Sequence, residues 1–319
     1  MHPILEKLEL FGIVPVVVIN DAVDATGLAR ALCDGGLPCM EVTFRTPAAA
    51  DAIATIARDF PDVLLGAGTV LTIEQAQRAL NAGAEFIVAP GLNRRIVEYC
   101  IERNVPVLPG IATPTEIEAA LDLGLQVVKF FPAEASGGAE YLKAMAAPYG
   151  AVMFVPTGGV GPANLLAYLR SPRVLACGGS WMVSSDLVVA KRFDEIRRLT
   201  EEAVRLMLGF ELRHVGINGA SEAEAQERAG EMGAMLQLPI KVGTSSIFVG
   251  SGFEFTKKKF PGDHGHLAIG TTFIKRAKAY LERRGYAFRQ ETATEKDGKL
   301  ISIYLEQEIG GFAVHLLQV

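Results

Sequence analysis

Histidine is scarce in this sequence: five among 319 residues, and apart from His2 all of them, His214, His264, His266 and His315, fall in the last third. Chemistry in the first two thirds must therefore run without imidazole, which excludes a histidine-ligated metal or a Ser-His-Asp triad there. Cysteine is also sparse. Cys33, Cys39, Cys100 and Cys177 have no C-x-x-C spacing and sit in apolar segments, so they read as buried free thiols rather than a disulfide framework or a zinc site. Positive charge is not in excess, since the formal net charge is -5, and no basic patch asks for a nucleic acid. No apolar run approaches the ~18 residues of a membrane span, and the start, Met1 to Lys7, lacks the cationic, then apolar pattern of a secretory leader. The chain reads as cytoplasmic, with neither a membrane nor a nucleic acid as partner. A G-x-G-x-x-G followed by an acidic residue is missing too, which removes the usual signature of dinucleotide binding.

What is present is an ordinary globular composition, 50% hydrophobic and 21% charged. After an opening helix, apolar β-branched runs alternate with helical stretches. Eight strands are expected at 13–19, 39–44, 64–70, 86–90, 105–111, 127–131, 153–157 and 174–178. Their near-continuous hydrophobicity fits a parallel sheet covered on both faces. The helices carry start and stop signals. Thr72-Ile-Glu-Gln75 and Thr113-Pro-Thr-Glu116 have capping-box spacing, and Gly83 and Gly124 each stand eleven residues after those threonines. Eight such units favour a (β/α)₈ TIM barrel, with an open doubly wound sheet as the second choice. An amphipathic helix over 191–208 ends at Gly209 and sets a boundary: a barrel at 1–208 and a smaller α+β domain at 209–319.

Lys129 is the anomaly of the barrel, a lysine inside the apolar run Val127-Val-Lys-Phe-Phe-Pro-Ala-Glu134. Burial disfavours an ammonium ion, and a desolvated lysine is the type of residue that attacks a carbonyl to form a Schiff base. The alternative is an edge-strand lysine that snorkels to water. Glu41 likewise lies within a strand, where it suits a proton shuttle or a structural ion pair with a cation such as Lys129. Arg45, just beyond, can grip a carboxylate with two parallel hydrogen bonds, and Thr69 offers a hydroxyl at the same rim. Strands seven and eight run into Gly158-Gly159 and Gly178-Gly179-Ser180. Paired glycines there are either tight turns or a place where backbone N–H groups approach a phosphate.

Five ordered motifs, Glu41-Val-Thr-Phe-Arg-Thr46, Gly66-Ala-Gly-Thr-Val70, Val128-Lys-Phe-Phe-Pro-Ala-Glu134, Pro156-Thr-Gly-Gly159 and Gly178-Gly-Ser-Trp181, closely resemble the 2-keto-3-deoxy-6-phosphogluconate aldolase family, whose members often also cleave 2-keto-4-hydroxyglutarate. The resemblance covers about residues 1–208. It implies a cofactor-free class I aldolase, commonly a homotrimer, acting on a small keto acid. It assigns Lys129 to the Schiff base, Glu41 to general acid/base work, Arg45 and Thr69 to the substrate carboxylate, and Gly158, Gly159, Gly179 and Ser180 to its phosphate. One departure is Gly161, where many relatives carry a serine, and it bears on which substrate is preferred.

Residues 209–319 contain an internal repeat. Strands are expected at 214–218 and 266–270, each followed by a helix that ends at a glycine nineteen residues on, Gly233 and Gly285. Further strands are expected at 246–249, 252–256, 301–305 and 312–317. The tandem βαβββ-like modules resemble the vicinal oxygen chelate, or glyoxalase-like, superfamily. The resemblance implies metal ligands on the first and last strands of each module, here His214, Glu254, His266 and His315. Two readings stand for this tail: a divalent-metal site that carries its own chemistry beside a phosphate-binding barrel, or a module used for packing, oligomer contacts or ligand sensing.

Overall fold

The computed structural model describes residues 1–319, which divide into two compact units, Met1–Met207 and Leu208–Val319. The first is an α/β, TIM-barrel-like unit. Its strands are β1 (Ile13–Val17), β2 (Cys39–Thr43), β3 (Leu64–Gly68), β4 (Phe86–Val88), β5 (Val107–Leu108), β6 (Gly110–Ile111), β7 (Val127–Phe130), β8 (Met153–Pro156) and β9 (Cys177–Gly179). All pair in parallel, in the orders β5-β4-β3-β2-β1-β9 and β6-β7-β8, and a bridge between Thr157 and Gly178 links the end of β8 to β9. The single strand expected at 105–111 is broken at Pro109, which has no N–H for the ladder, although its carbonyl still accepts from the Lys129 amide at 2.9 Å. The eighth strand starts later than expected, at Cys177, with Val174 held only by an isolated bridge.

Both faces of these strands are buried, as their continuous apolar runs require, and Phe86, Phe130 and Phe154 fill the interior. Gly66 is small for a packing reason, since a Cβ there would lie 2.2 Å from the Phe86 ring. The helix Pro114–Asp122 begins with a complete capping box between Thr113 and Glu116. At Ile73–Asn81 the Thr72 hydroxyl caps the Gln75 amide, but Gln75 reaches back to the Leu71 amide instead, at 2.7 Å. Gly83 and Gly124 take the left-handed conformation that closes these helices.

The second unit is a mixed eight-stranded sheet built from two βαβββ modules: β10 (Glu211–Asn218), β11 (Ile240–Val242), β12 (Ser246–Val249) and β13 (Phe253–Thr256), then β14 (Gly265–Thr271), β15 (Phe288–Lys296), β16 (Lys299–Ile309) and β17 (Phe312–Gln318). The order is β11-β12-β13-β10-β14-β17-β16-β15, so the modules repeat each other and meet at the antiparallel pair β10–β14. Its first helix, Glu222–Leu236, runs through Gly233 and ends at left-handed Gln237, which corrects the expected stop at that glycine. Gly233 answers a packing need instead, because a Cβ there would lie 2.8 Å from Ile240. The helix covers a core of Ala225, Ala229, Ile247, Val249 and Phe255.

Replacing Thr113 by Ala removes the N-cap acceptor of Pro114–Asp122 and should lower stability by ~1 kcal/mol, read as a shift in the urea midpoint.

Candidate active site

Lys129 and Glu41 reach each other from opposite parts of the first unit. Lys129 stands on β7, in register with Gly110 and Val155, and Glu41 on β2, between Val16 and Gly66. The Lys129 Nζ lies 3.2 Å from Glu41 Oε1, and the two residues are 6% and 3% exposed. Lys129 therefore does not snorkel, and Glu41 is paired with it. Taking two charges out of water costs several kcal/mol per ion, so such a pair is a poor device for stability alone. Gly68 makes the room, since a Cβ there would sit 2.0 Å from the Glu41 carboxylate. The Phe131 ring lies 5.4 Å from Nζ and walls one side. Chemically, the carboxylate can accept the ammonium proton, leaving a nucleophilic amine, and can return it to an oxygen on the attacked carbon.

Beside this pair, Arg45 donates through Nε to the Thr69 hydroxyl at 3.3 Å. Thr69 holds φ at 54°, an unusual conformation for a β-branched residue. A cavity of about 290 Å³ opens at this end of the barrel, lined by Arg45, Phe131, Gly158, Gly159, Gly179 and Ser180, among others. All four residues expected at a phosphate thus line one cavity. Lys129, Glu41 and Thr69 do not line the cavity and adjoin it through Phe131 and Arg45. Ser184 and Ser185 also line it and were missed in the sequence, although two serines shortly after the last strand were a readable signal.

In the second unit, Glu254 Oε2 lies 3.0 Å from His214 Nε2 and 3.2 Å from His266 Nε2, and those two nitrogens are 3.2 Å apart. His315 completes the group, with one nitrogen of each histidine within 4.8 Å of the others. Its Nδ1 faces the Ser302 hydroxyl at 3.0 Å, while its buried Nε2 has no partner in the chain. Burial raises the Glu254 carboxyl, but hydrogen bonds from His214, His266 and Ser246 outweigh it and hold the group far below the usual carboxylate range. Burial, reinforced by the charges of His266 and His214, pushes His315 down to about 4. The resemblance to the glyoxalase-like modules implies these four residues as one set, and in the structure their side chains lie together. His264 stands apart, its ring tilted at 57° to that of Phe312.

Fold and first site define a carbon–carbon lyase of the Schiff-base class. The family model for KDPG and KHG aldolase matches residues 4–199, and the chain belongs to that family. It is 54% identical over 207 residues to the 2-dehydro-3-deoxy-phosphogluconate aldolase of Treponema pallidum (strain Nichols), covering 65% of this chain and 99% of that protein. It is 44% identical over 192 residues to the KHG/KDPG aldolase of Escherichia coli (strain K12), covering 60% of this chain and 90% of that one. Among solved structures, it is similar to the KDPG aldolase of Legionella pneumophila, crystallised with pyruvate captured at low pH as a covalent carbinolamine intermediate. That similarity has a TM-score of 0.59 and 38% identity, covering 60% of this chain and 95% of that one. The family match ends before the second unit begins.

Removing one member of the buried pair strands the other. Lys129→Met should destabilise the protein by about 3 kcal/mol, and the double variant with Glu41→Leu should recover most of that loss, read from urea unfolding.

Proposed function

We propose that this chain cleaves 2-keto-3-deoxy-6-phosphogluconate to pyruvate and glyceraldehyde 3-phosphate, and 4-hydroxy-2-oxoglutarate to pyruvate and glyoxylate, with Lys129 as the nucleophile. The observation that carries this reading is the sealed contact between Lys129 Nζ and Glu41 Oε1 at 3.2 Å. Lys129 attacks the C2 ketone, and loss of water gives the iminium. Glu41 takes the proton of the C4 hydroxyl as the C3–C4 bond breaks. The electron pair of that bond moves into the iminium as an enamine, and the aldehyde leaves. Protonation at C3 and hydrolysis then release pyruvate and the free amine. Arg45 and Thr69 hold the keto-acid carboxylate, while Gly158, Gly159, Gly179 and Ser180 hold the phosphate. The unphosphorylated substrate shares the pyruvate half, so the lysine and glutamate serve both. We read the enzyme as cytoplasmic and as a homotrimer.

The test is steady-state cleavage of both substrates. Glu41→Gln should lower kcat by about 10²–10⁴, Lys129→Ala should abolish turnover, and a chelator should leave the rate unchanged. Turnover retained in Lys129→Ala would contradict the reading.

One observation favours a separate role for the second unit. A buried His315 Nε2 without a partner, beside a carboxylate already shared by two imidazoles, is a donor set that a divalent cation satisfies. His214, Glu254, His266 and His315 would hold it, and the tandem-module sheet supports the glyoxalase-like reading. A bound cation there supplies Lewis acidity. Ser302 orients the His315 ring, and Gly216 admits the His266 ring, since a Cβ at Gly216 would lie 2.0 Å from it. Metal analysis should find about one divalent ion per chain in the purified protein and a loss of it in Gly216→Ala. Metal-free protein that takes up no added zinc, nickel or ferrous iron would leave the unit to packing, oligomer contacts or ligand sensing.

A further inference from the structure

The turn after β8 carries a feature that the site residues named above do not explain. Gly158 and Gly159 take φ of +97° and +82°, and both carbonyls are held from outside the cavity they line. Gly158 O accepts the Glu134 backbone amide at 3.0 Å, and Gly159 O accepts from Asn164 Nδ2 at 3.1 Å. In a trans peptide the N–H points away from the carbonyl of the same unit. Fixing the Gly158 carbonyl therefore fixes the Gly159 N–H, and fixing the Gly159 carbonyl fixes the Val160 N–H. Neither of those amides donates to another group of the chain, and both residues line the cavity.

Asn164 is unusual in how it does this. It occupies the N-cap position of the short helix Leu165–Leu169, where asparagine ordinarily accepts an amide of its own helix, yet it makes no such bond. Its side chain turns back into the loop. Besides the bond to Gly159 O, its Oδ1 accepts the Gly161 amide at 2.8 Å. One carboxamide thus spans the turn on both sides of Val160, at the point where the chain has Gly161 and no side-chain hydroxyl. The Glu134 side chain closes the other flank, since a Cβ on Gly159 would lie 2.6 Å from its Cγ.

We infer that Asn164 is a positioning residue for the phosphate end of the substrate, aiming the Val160 N–H at the anion and so setting the preference for phosphorylated over unphosphorylated keto acids. The inference rests on the reading of this cavity as the phosphate site. It concerns a bond that only the amide of Asn164 donates, so Asn164→Asp is the informative change: it keeps the shape and the acceptor for the Gly161 amide but cannot hold Gly159 O.

The experiment is cleavage of 2-keto-3-deoxy-6-phosphogluconate and 4-hydroxy-2-oxoglutarate by wild type, Asn164→Asp and Asn164→Ser, with thermal unfolding of each. For the phosphorylated substrate KM should rise about tenfold, the scale of one well-placed hydrogen bond to a charged group, with kcat falling far less. The ratio of kcat/KM between the two substrates should fall by about the same factor. Equal losses on both substrates in either variant, or an unchanged ratio in folded Asn164→Asp, would overturn the role of Asn164 while leaving the phosphate site in place. Wild-type protein that cleaves both substrates without distinguishing them would overturn the phosphate site and this inference together.

Discussion

The contact between Lys129 and Glu41 is the constraint that the construction of the first unit answers to. Two ionisable groups on β2 and β7 meet only because a closed, parallel arrangement turns both strands inward at the same depth. Their burial is costly, and the surroundings show how it is tolerated. Gly68 yields its side-chain volume to the carboxylate, Gly66 yields its own to Phe86, and Phe131 closes over the amine. Each of these substitutes small or aromatic bulk for water. The consequence is a buried lysine paired with a carboxylate at 3.2 Å, next to a cavity that opens on the same end of the barrel.

The buried pair and the cavity beside it are built on different principles. At the pair, the side chains are placed by strand register. Around the glycine-lined cavity, in the proposed reading, the backbone does the work: the Asn164 side chain holds the Gly159 carbonyl and the Glu134 backbone amide holds that of Gly158. In the same reading the lysine and the glutamate meet only the pyruvate half, so they are indifferent to what the rest of the substrate carries.

Legibility in the sequence followed the same division. Lys129 and Glu41 stood out because a charged residue in a buried strand is an exception that needs a reason, and the glycine pairs because they recur at the ends of the last two strands. The strand positions were readable from apolar runs, but the break at Pro109 and the late start of β9 depend on individual ladder bonds. In the second unit, β11 and β15 went unread: β11 is an exposed edge, and Phe288-Arg-Gln-Glu-Thr-Ala-Thr-Glu-Lys296 is largely polar with no alternation to mark a strand. Gly233 misleads because equal spacing in a repeat does not require equal roles. The clustering of His214, Glu254, His266 and His315 was legible only through the resemblance to the glyoxalase-like modules, which implies ligands on the first and last strand of each module. Asn164 was not, because its partners exist only once the turn has formed.

The most direct test of the central claim is borohydride reduction of the protein in the presence of pyruvate, followed by peptide mass analysis. Lys129 as the Schiff-base residue predicts one reduced pyruvate adduct per chain, located on the peptide that contains Lys129 and absent from Lys129→Ala. An unmodified Lys129 peptide, or an adduct at another lysine, would contradict it.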